Sequence, residues 1–240
     1  CGILRAEFSQ PQHDTMSRSR FDKFKTVLQQ RQPDMALVTD QVHKAQNISA
    51  MLRTADAVGI TTVHMVQPAR GRLVYHHTAG GSSRFVTSIG HPSIEAALQA
   101  ARDQGLTLYA AQWSERAISY RDADYTQPFA LVMGAEKYGL SETASAAADV
   151  HLTIPMMGMV ESYNVSVAAA IILQEALHQR QAAGHYQRPV VEDEDYHRTL
   201  FRWAQPKMAR YCDQRGLPYP ELDEDGDMIP PTDAAYRGRA

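Results

Sequence analysis

Two short polar side chains, Ser162 and Asn164, stand at the mouth of a long apolar helix pattern in residues 154–175, IPMMGMVESYNVSVAAAIILQE. A helix mouth carries unpaired backbone N–H groups and the positive end of the helix dipole. It can bind a ligand or anion, or be closed by its own capping side chains, and spacing alone leaves both readings open. A second capable segment is Gly134-Ala-Glu-Lys-Tyr-Gly139-Leu140-Ser141, which follows an apolar strand pattern. It matches a phosphate-binding P-loop except that Leu140 stands where the lysine is needed, which argues against nucleotide hydrolysis. The third is Arg53 in ISAMLRTADAVG, where Ile48, Met51, Leu52, Ala55 and Val58 form one apolar stripe. At about 100° per residue Arg53 falls nearly opposite that stripe, facing away from its own core. A solvated charge is the ordinary reason for such a position. No GxGxxG follows a strand pattern, and neither GxSxG nor HExxH occurs, so dinucleotide, elbow-serine and zincin chemistry are unsupported. The ten histidines are scattered without ligand spacing, and the adjacent pair His76-His77 points its rings apart, so no catalytic metal is expected.

The elements that must position these groups follow from pattern and punctuation. Residues 17–31 read as a helix with Phe21, Phe24, Val27 and Leu28 on one side, ended by Pro33. Strands are expected at 35–39, 62–66, 85–89, 106–110, 129–133 and 150–154. Helices are expected from an Asn47 cap to Gly59, from a Ser93 cap over 94–104, from a Ser141 cap over 142–148, and from Asn164 to Gln181 with a stop at Gly184. Gly80-Gly81-Ser82-Ser83 reads as a turn or phosphate-facing loop, and 113–125 as irregular. One more helix, interrupted by Pro206, is expected over 196–213, with an extended or disordered tail after it. Strands alternating with helices predict a three-layer α/β domain with a mainly parallel sheet.

With 240 residues, 44% hydrophobic and 21% charged, the chain suits one globular domain, alone or with helical extensions. It has no uninterrupted apolar run of about 18 residues, so no membrane span is expected. CGILRAEFSQ does not read as a signal peptide, and residues 1–16 are expected to be a disordered leader with Met16 as an alternative start. Cys1 and Cys212 lie far apart, which favours a reducing cytosol and no disulfide framework. The net charge of −3 hides an asymmetry: Arg18, Arg20, Lys23, Lys25 and Arg31 face only Asp22 in residues 17–32, while acids gather at 192–195 and 221–227. Such a basic patch docks phosphates even on an acidic protein, or is a solvated helix face.

Three segments taken together resemble the SpoU branch of the SPOUT RNA methyltransferases. They are Asn47-Ile-Ser-Ala-Met-Leu-Arg53-Thr-Ala, Met133-Gly134-Ala-Glu136-Lys-Tyr-Gly139, and Ile154 through Ser162-Tyr163-Asn164-Val-Ser-Val-Ala. RQPD at 31–34, VHK at 42–44, ADAVG at 55–59 and GLPYP at 216–220 make the chain most similar to the tRNA guanosine-18 2′-O-methyltransferase group. The resemblance implies an α/β-knot domain over 34–184 whose C-terminal segment threads a trefoil knot. A basic helical arm at 17–33 and a helical, acidic-tailed extension at 185–240 flank it. It implies methyl transfer from S-adenosylmethionine to the ribose 2′-hydroxyl of guanosine 18 in the tRNA D-loop. It further implies a cytoplasmic homodimer with its active site at the subunit interface. By position, the cofactor lies against Ala111, Gly134, Ala135, Glu136, Lys137, Tyr138, Ile154 and Tyr163. Asn47, Arg53, Glu136, Ser162 and Asn164 form the catalytic shell, and Arg20, Lys23, Arg31, Arg210 and Arg215 contact RNA. The competing expectations are the same chemistry on ribosomal RNA and a non-catalytic RNA-binding protein. The chain departs from the family pattern at Ala45-Gln46, Ala111 and Tyr163.

Overall fold

Seven strands, all parallel, make a single sheet in the computed structural model, which describes residues 17–66, 84–188 and 193–229. They are β1 (Gln32–Thr39), β2 (Ile60–Val66), β3 (Thr87–His91), β4 (Thr107–Ala111), β5 (Ile118–Ser119), β6 (Phe129–Met133) and β7 (Val150–Thr153). Their spatial order is β3-β2-β1-β6-β4-β7-β5. The central strand β6, FALVM, is buried throughout, as a parallel strand covered on both faces must be. It pairs with β1 from Met35↔Phe129 to Thr39↔Met133 and with β4 from Thr107↔Phe129 to Ala110↔Val132.

The two-residue period of the strands sorts the core into two halves. Met35, Leu37, Phe129, Leu131 and Met133 face α2 (Ala45–Ala57) and α5 (Val165–Ala182), against Ile48, Leu52, Ala169, Ile172 and Leu173. Ala36, Val38, Ala130 and Val132 face α3 (Ile94–Asp103) and α4 (Glu142–Ala147), against Ala97, Leu98, Ala101 and Ala144. Ser93 and Ser141 cap α3 and α4 by accepting the Ala96 and Ala144 N–H groups. Gly184 takes the left-handed conformation that ends α5.

Arg180, near the end of α5, is wholly buried and uses all five of its N–H donors. It donates to both Asp34 carboxylate oxygens at 2.6 and 3.1 Å. It also donates to Gln32 Oε1 at 3.0 Å and to the carbonyls of Tyr125 and Gln127 at 2.7 and 3.0 Å. The RQPD segment thus anchors the last helix of the domain to its first strand.

Chain contacts divide the protein into two compact units, one running from Gln29 to Pro189 and the other made of the chain up to Leu28 and from Val190 onward. In the second, α1 (Arg18–Gln29) buries Phe21 and Phe24, α6 (Glu194–Ala204) buries Leu200, Phe201 and Trp203, and α7 (Pro206–Arg215) buries Ala209 and Cys212. Phe24 meets Trp203 edge-on with ring centroids 6.0 Å apart. The helical pattern at 17–31 and that of the C-terminal region therefore belong to one packed unit.

Several boundaries differ from the expectations. β1 starts at Gln32 and includes Pro33, because the ladder with β2 shifts register between Gln32 and Ala36 and leaves Pro33 exposed. β3 begins two residues later than expected, and β5 forms at the sheet edge inside the segment read as irregular. α2 begins at Ala45, so Asn47 sits in its first turn and Lys44 takes the cap position without a side-chain bond. The pattern at 196–213 resolves into two helices, because Pro206 starts α7 at a position where its missing N–H costs nothing. The tail folds back on itself, Leu222 bridging Met228 across a turn. The leader at 1–16 and the Gly80-Gly81-Ser82-Ser83 loop lie outside the described residues.

Candidate active site

The carboxyl ends of β4, β6 and β7 open together into a cleft with about 760 Å³ of free space, open solvent at its mouth included. This is where parallel α/β sheets collect ligands. Ala111 ends β4, Gly134, Ala135 and Glu136 follow β6, Ile154 follows β7, and Ser162 and Tyr163 precede α5; all of them line the cleft. Met133, Leu152, Val165 and Ile172 give it apolar walls.

Lys137 and Tyr138 depart from the cofactor set. Both are exposed and neither lines the cleft, the Lys137 ammonium lying 5.1 Å from the Tyr138 ring centroid. The cause is the turn that carries them. Ala135 and Gly139 exchange N–H···O bonds of 2.9 and 2.8 Å, which closes the loop and puts 137–138 at its outer tip. Gly139 supplies the left-handed conformation at φ 68°. Gly134 runs so close beneath that a Cβ there would enter the van der Waals shell of the Gly139 carbonyl and the Leu140 nitrogen.

Asn164 does two jobs. Its Oδ1 accepts the Ser166 N–H at 2.9 Å and the Ser166 hydroxyl at 2.7 Å, capping α5. Its Nδ2 donates to Asn47 Oδ1 at 3.2 Å, tying the first turn of α2 to the mouth of α5. Capping and site-building, alternatives at the level of spacing, are met by opposite ends of one amide. Glu136 receives Lys44 at 2.5 Å through Oε2, while its Oε1 is buried in the cleft wall without a protein partner.

Arg53 is exposed on α2 and does not line the cleft. Six residues beyond Asn47, it has turned about 240° around the helix axis. Glu136 and Ser162 therefore line the cleft, Asn47 and Asn164 bond to each other beside Tyr163 and Val165 of its wall, and Arg53 stands on the outer face of the same chain.

The RNA-contact set also divides. Arg20, Lys23, Arg210 and Arg215 are exposed in the α1–α6–α7 unit. Arg20 lies over the Phe24 ring and Arg215 over Tyr211. Arg31 is a correction: its side chain is buried, ion-paired with Asp56 and donating to the Asp56 and Ile60 carbonyls. Its guanidinium holds α2 to β2 and is not available to a phosphate.

Two residues of this region were missed in the sequence. Lys44 lies in the VHK segment, whose resemblance assigned no role to it. Asp40 is buried at the end of β1 and accepts the Ser141 N–H at 2.7 Å, fixing the start of α4 behind the cleft loop. A lone acid directly after the strand MALVT was its only signal. Away from the cleft, His64 and His91 share a 2.9 Å ring contact across β2 and β3, and burial lowers the His64 pKa to about 4. Among the described residues no cluster of three or more His, Cys, Asp or Glu could hold a metal, and no helix is long and apolar enough to cross a membrane.

The SpoU rRNA methylase family matches residues 34–174, and the C-terminal region of SpoU rRNA methylases matches 178–231. A tRNA (guanosine(18)-2′-O)-methyltransferase of Escherichia coli (strain K12) is 40% identical over 215 residues, which cover 89% of this chain and 94% of the relative. The crystal structure of the Aquifex aeolicus TrmH/SpoU tRNA modifying enzyme matches at a TM-score of 0.71 and 34% identity, covering 77% of this chain and 94% of that one. The SpoU methyltransferase AviRb from Streptomyces viridochromogenes, in complex with the cofactor AdoMet, matches at a TM-score of 0.56 and 28% identity, covering 63% of this chain and 62% of that one. With its parallel sheet, its glycine-built cleft loop and a match that runs through both units, the chain belongs to the SpoU methylase family.

Proposed function

We propose that this chain is an enzyme that methylates the ribose 2′-hydroxyl of guanosine 18 in tRNA, using S-adenosylmethionine. The observation that carries the reading is near-full-length similarity to a relative named for that activity, with two of the three segments of resemblance lining one cleft and the first tied to its edge through Asn47. The cleft suits the cofactor: apolar walls for a flat heterocycle, a side-chain-free approach at Gly134, and a buried Glu136 oxygen without a protein partner to accept an N–H or O–H. When bound, the cofactor supplies an electrophilic methyl group on a sulfonium, so the protein's part is alignment and removal of the hydroxyl proton.

Asn164 and Asn47 lock the two helix mouths beside Ser162, and Lys44 holds Glu136 towards the cleft. Arg53 faces out of its own chain, so in this reading it serves the cleft of a second copy. The exposed apolar side chains of Met157, Met159, Val160 and Val167 support a homodimer. A guanidinium stays protonated near neutrality, so Arg53 fits a phosphate or oxyanion contact, with the proton passing to water or to an RNA phosphate. Arg20, Lys23, Arg210 and Arg215 supply sequence-independent phosphate contacts, and tRNA shape together with an exposed loop base supplies the selectivity. The trefoil knot and a cytoplasmic location belong to the same proposal. Neither the ribosomal RNA reading nor the non-catalytic one is favoured by any residue of the cleft. Labelled S-adenosylmethionine and unmodified tRNA provide the test: the label should map to the ribose of guanosine 18. Transfer to ribosomal RNA alone, or none, overturns the proposal.

A further inference from the structure

Trp113 lines the cleft, yet 77% of its surface is exposed. A bare indole at a cleft mouth is unusual, because an aromatic ring gains most by burial. The backbone beneath it is held firmly. The Gln112 N–H donates to the carbonyls of Ala110 and Leu152 at 2.9 and 3.0 Å, and its side-chain amide donates to Ser145 Oγ at 3.1 Å. On the other side, Ser114 Oγ lies 2.8 Å from Nδ1 of the buried His151. Arg116 donates to His151 Nε2 at 2.7 Å and to the Ser145 and Ala148 carbonyls at 3.1 and 3.2 Å. His151 Nε2 lies 2.9 Å from the Ser145 carbonyl as well, so the ring is held from both of its nitrogens. Both neighbours of Trp113 are thus pinned to β7 and to α4 while the ring between them stays free. A rigid base under an unpacked ring is how a surface is prepared for a planar ligand.

We infer that Trp113 is the stacking platform for the base of the acceptor nucleotide, and that Ser114, His151 and Arg116 are its positioning residues. The inference rests on the proposed RNA methyl transfer. If a ribose 2′-oxygen enters the cleft, its base is attached at the adjacent ribose carbon and must lie at the mouth. Purine faces stack on aromatic side chains. The exposed methionines of the neighbouring loop offer no planar face, Tyr138 sits on the outer turn away from the lining, and Tyr163, the other aromatic of the lining, is 43% exposed and so offers less free ring than Trp113.

The full-length enzyme, unmodified tRNA and S-adenosylmethionine provide the test. Trp113→Ala should raise KM for tRNA about 5- to 150-fold, the range expected for one lost stack. S-adenosylmethionine affinity by calorimetry and the oligomeric state should be unchanged. Trp113→Phe should recover most of the loss, and His151→Ala should raise the tRNA KM in the same direction with cofactor affinity intact. In a Trp203→Phe background, where Trp113 is the sole tryptophan, tRNA should quench the remaining emission. An unchanged tRNA KM in Trp113→Ala overturns the inference, as does a loss confined to cofactor affinity or a shift to monomer. Absence of any RNA methylation by the wild-type enzyme overturns the underlying function instead.

Discussion

Asp34→Ala strands a buried charge. Arg180 is wholly buried and loses two of its five hydrogen bonds, together with its only ion-pair partner among the described residues. Removing one member of a buried pair costs about 3–5 kcal/mol. The Asp34 side chain is 31% exposed, so water can enter the vacated space, and the cost should fall near the lower end, about 3 kcal/mol. For a chain of this size that lowers Tm by roughly 6–12 °C. Asp34→Asn keeps an acceptor and should lose roughly half as much. Arg180→Met combined with Asp34→Ala removes the stranded charge as well, so the double variant should be more stable than Asp34→Ala alone. The assay is urea denaturation at fixed protein concentration, because association of the chain would make apparent stability concentration-dependent. Arg180 lies 16 residues beyond Asn164, about 24 Å along the helix at 1.5 Å per residue, so cofactor affinity at 25 °C should survive. A loss below about 1 kcal/mol in Asp34→Ala, or strict additivity in the double variant, would refute the reasoning.

Gly134→Ala pushes a methyl group into the Gly139 carbonyl, so the 135–139 turn must open; S-adenosylmethionine affinity by calorimetry should drop at least tenfold with far-UV dichroism unchanged. Arg53→Ala should abolish methyl transfer while leaving cofactor affinity nearly intact; wild-type turnover would remove Arg53 from the mechanism, and Arg53→Lys separates charge from the planar fork. Replacing Arg20 and Lys23 by Ala should weaken tRNA binding and reduce the slope of log K against log salt by about 0.7–0.9 per lost phosphate contact; an unchanged slope counts against that surface. His64 is held neutral, mainly by burial and then by the His91 charge, with its pKa lowered from 6.5 to about 4. The unfolded chain therefore binds the extra proton first, and stability should decline as pH falls from about 6.5 towards 4. Urea midpoints between pH 7 and 5 should show that decline in the wild type and less of it in His64→Gln.

Local rules placed the elements well where one force decides them. A short continuous apolar run such as FALVM, set off by Pro128 and Gly134, suits a strand covered on both faces, and Ser93 and Ser141 cap as their side chains dictate. The failures have a common cause in distant partners. Asn47 has the chemistry of a cap, yet its amide is engaged by Asn164, 117 residues later, so Lys44 takes the cap position. Arg31 sits in a basic run and reads as a phosphate contact until Asp56 appears beside it. Pro33 reads as a break and lies within a strand because a register shift absorbs it. Nothing local to residues 31, 33 or 47 carries that information.

The cleft shows the same division in a different form. Its loop was legible because glycines at 134 and 139 are needed by the backbone itself, through close approach at one and a positive φ at the other. Lys137 and Tyr138 were misplaced because membership of a loop does not fix direction: a turn closed by two hydrogen bonds sends its middle outward. Arg53 is the converse case, since its helical phase alone turned it away from the core, and exposed it stands. A charge that faces away from its own cleft has work to do there only when a second surface arrives. The Arg53 activity assay is therefore informative in mixed dimers: an Arg53→Ala chain paired with a chain inactivated at Gly134 should regain one working cleft, whereas an arginine serving its own cleft would leave both copies dead.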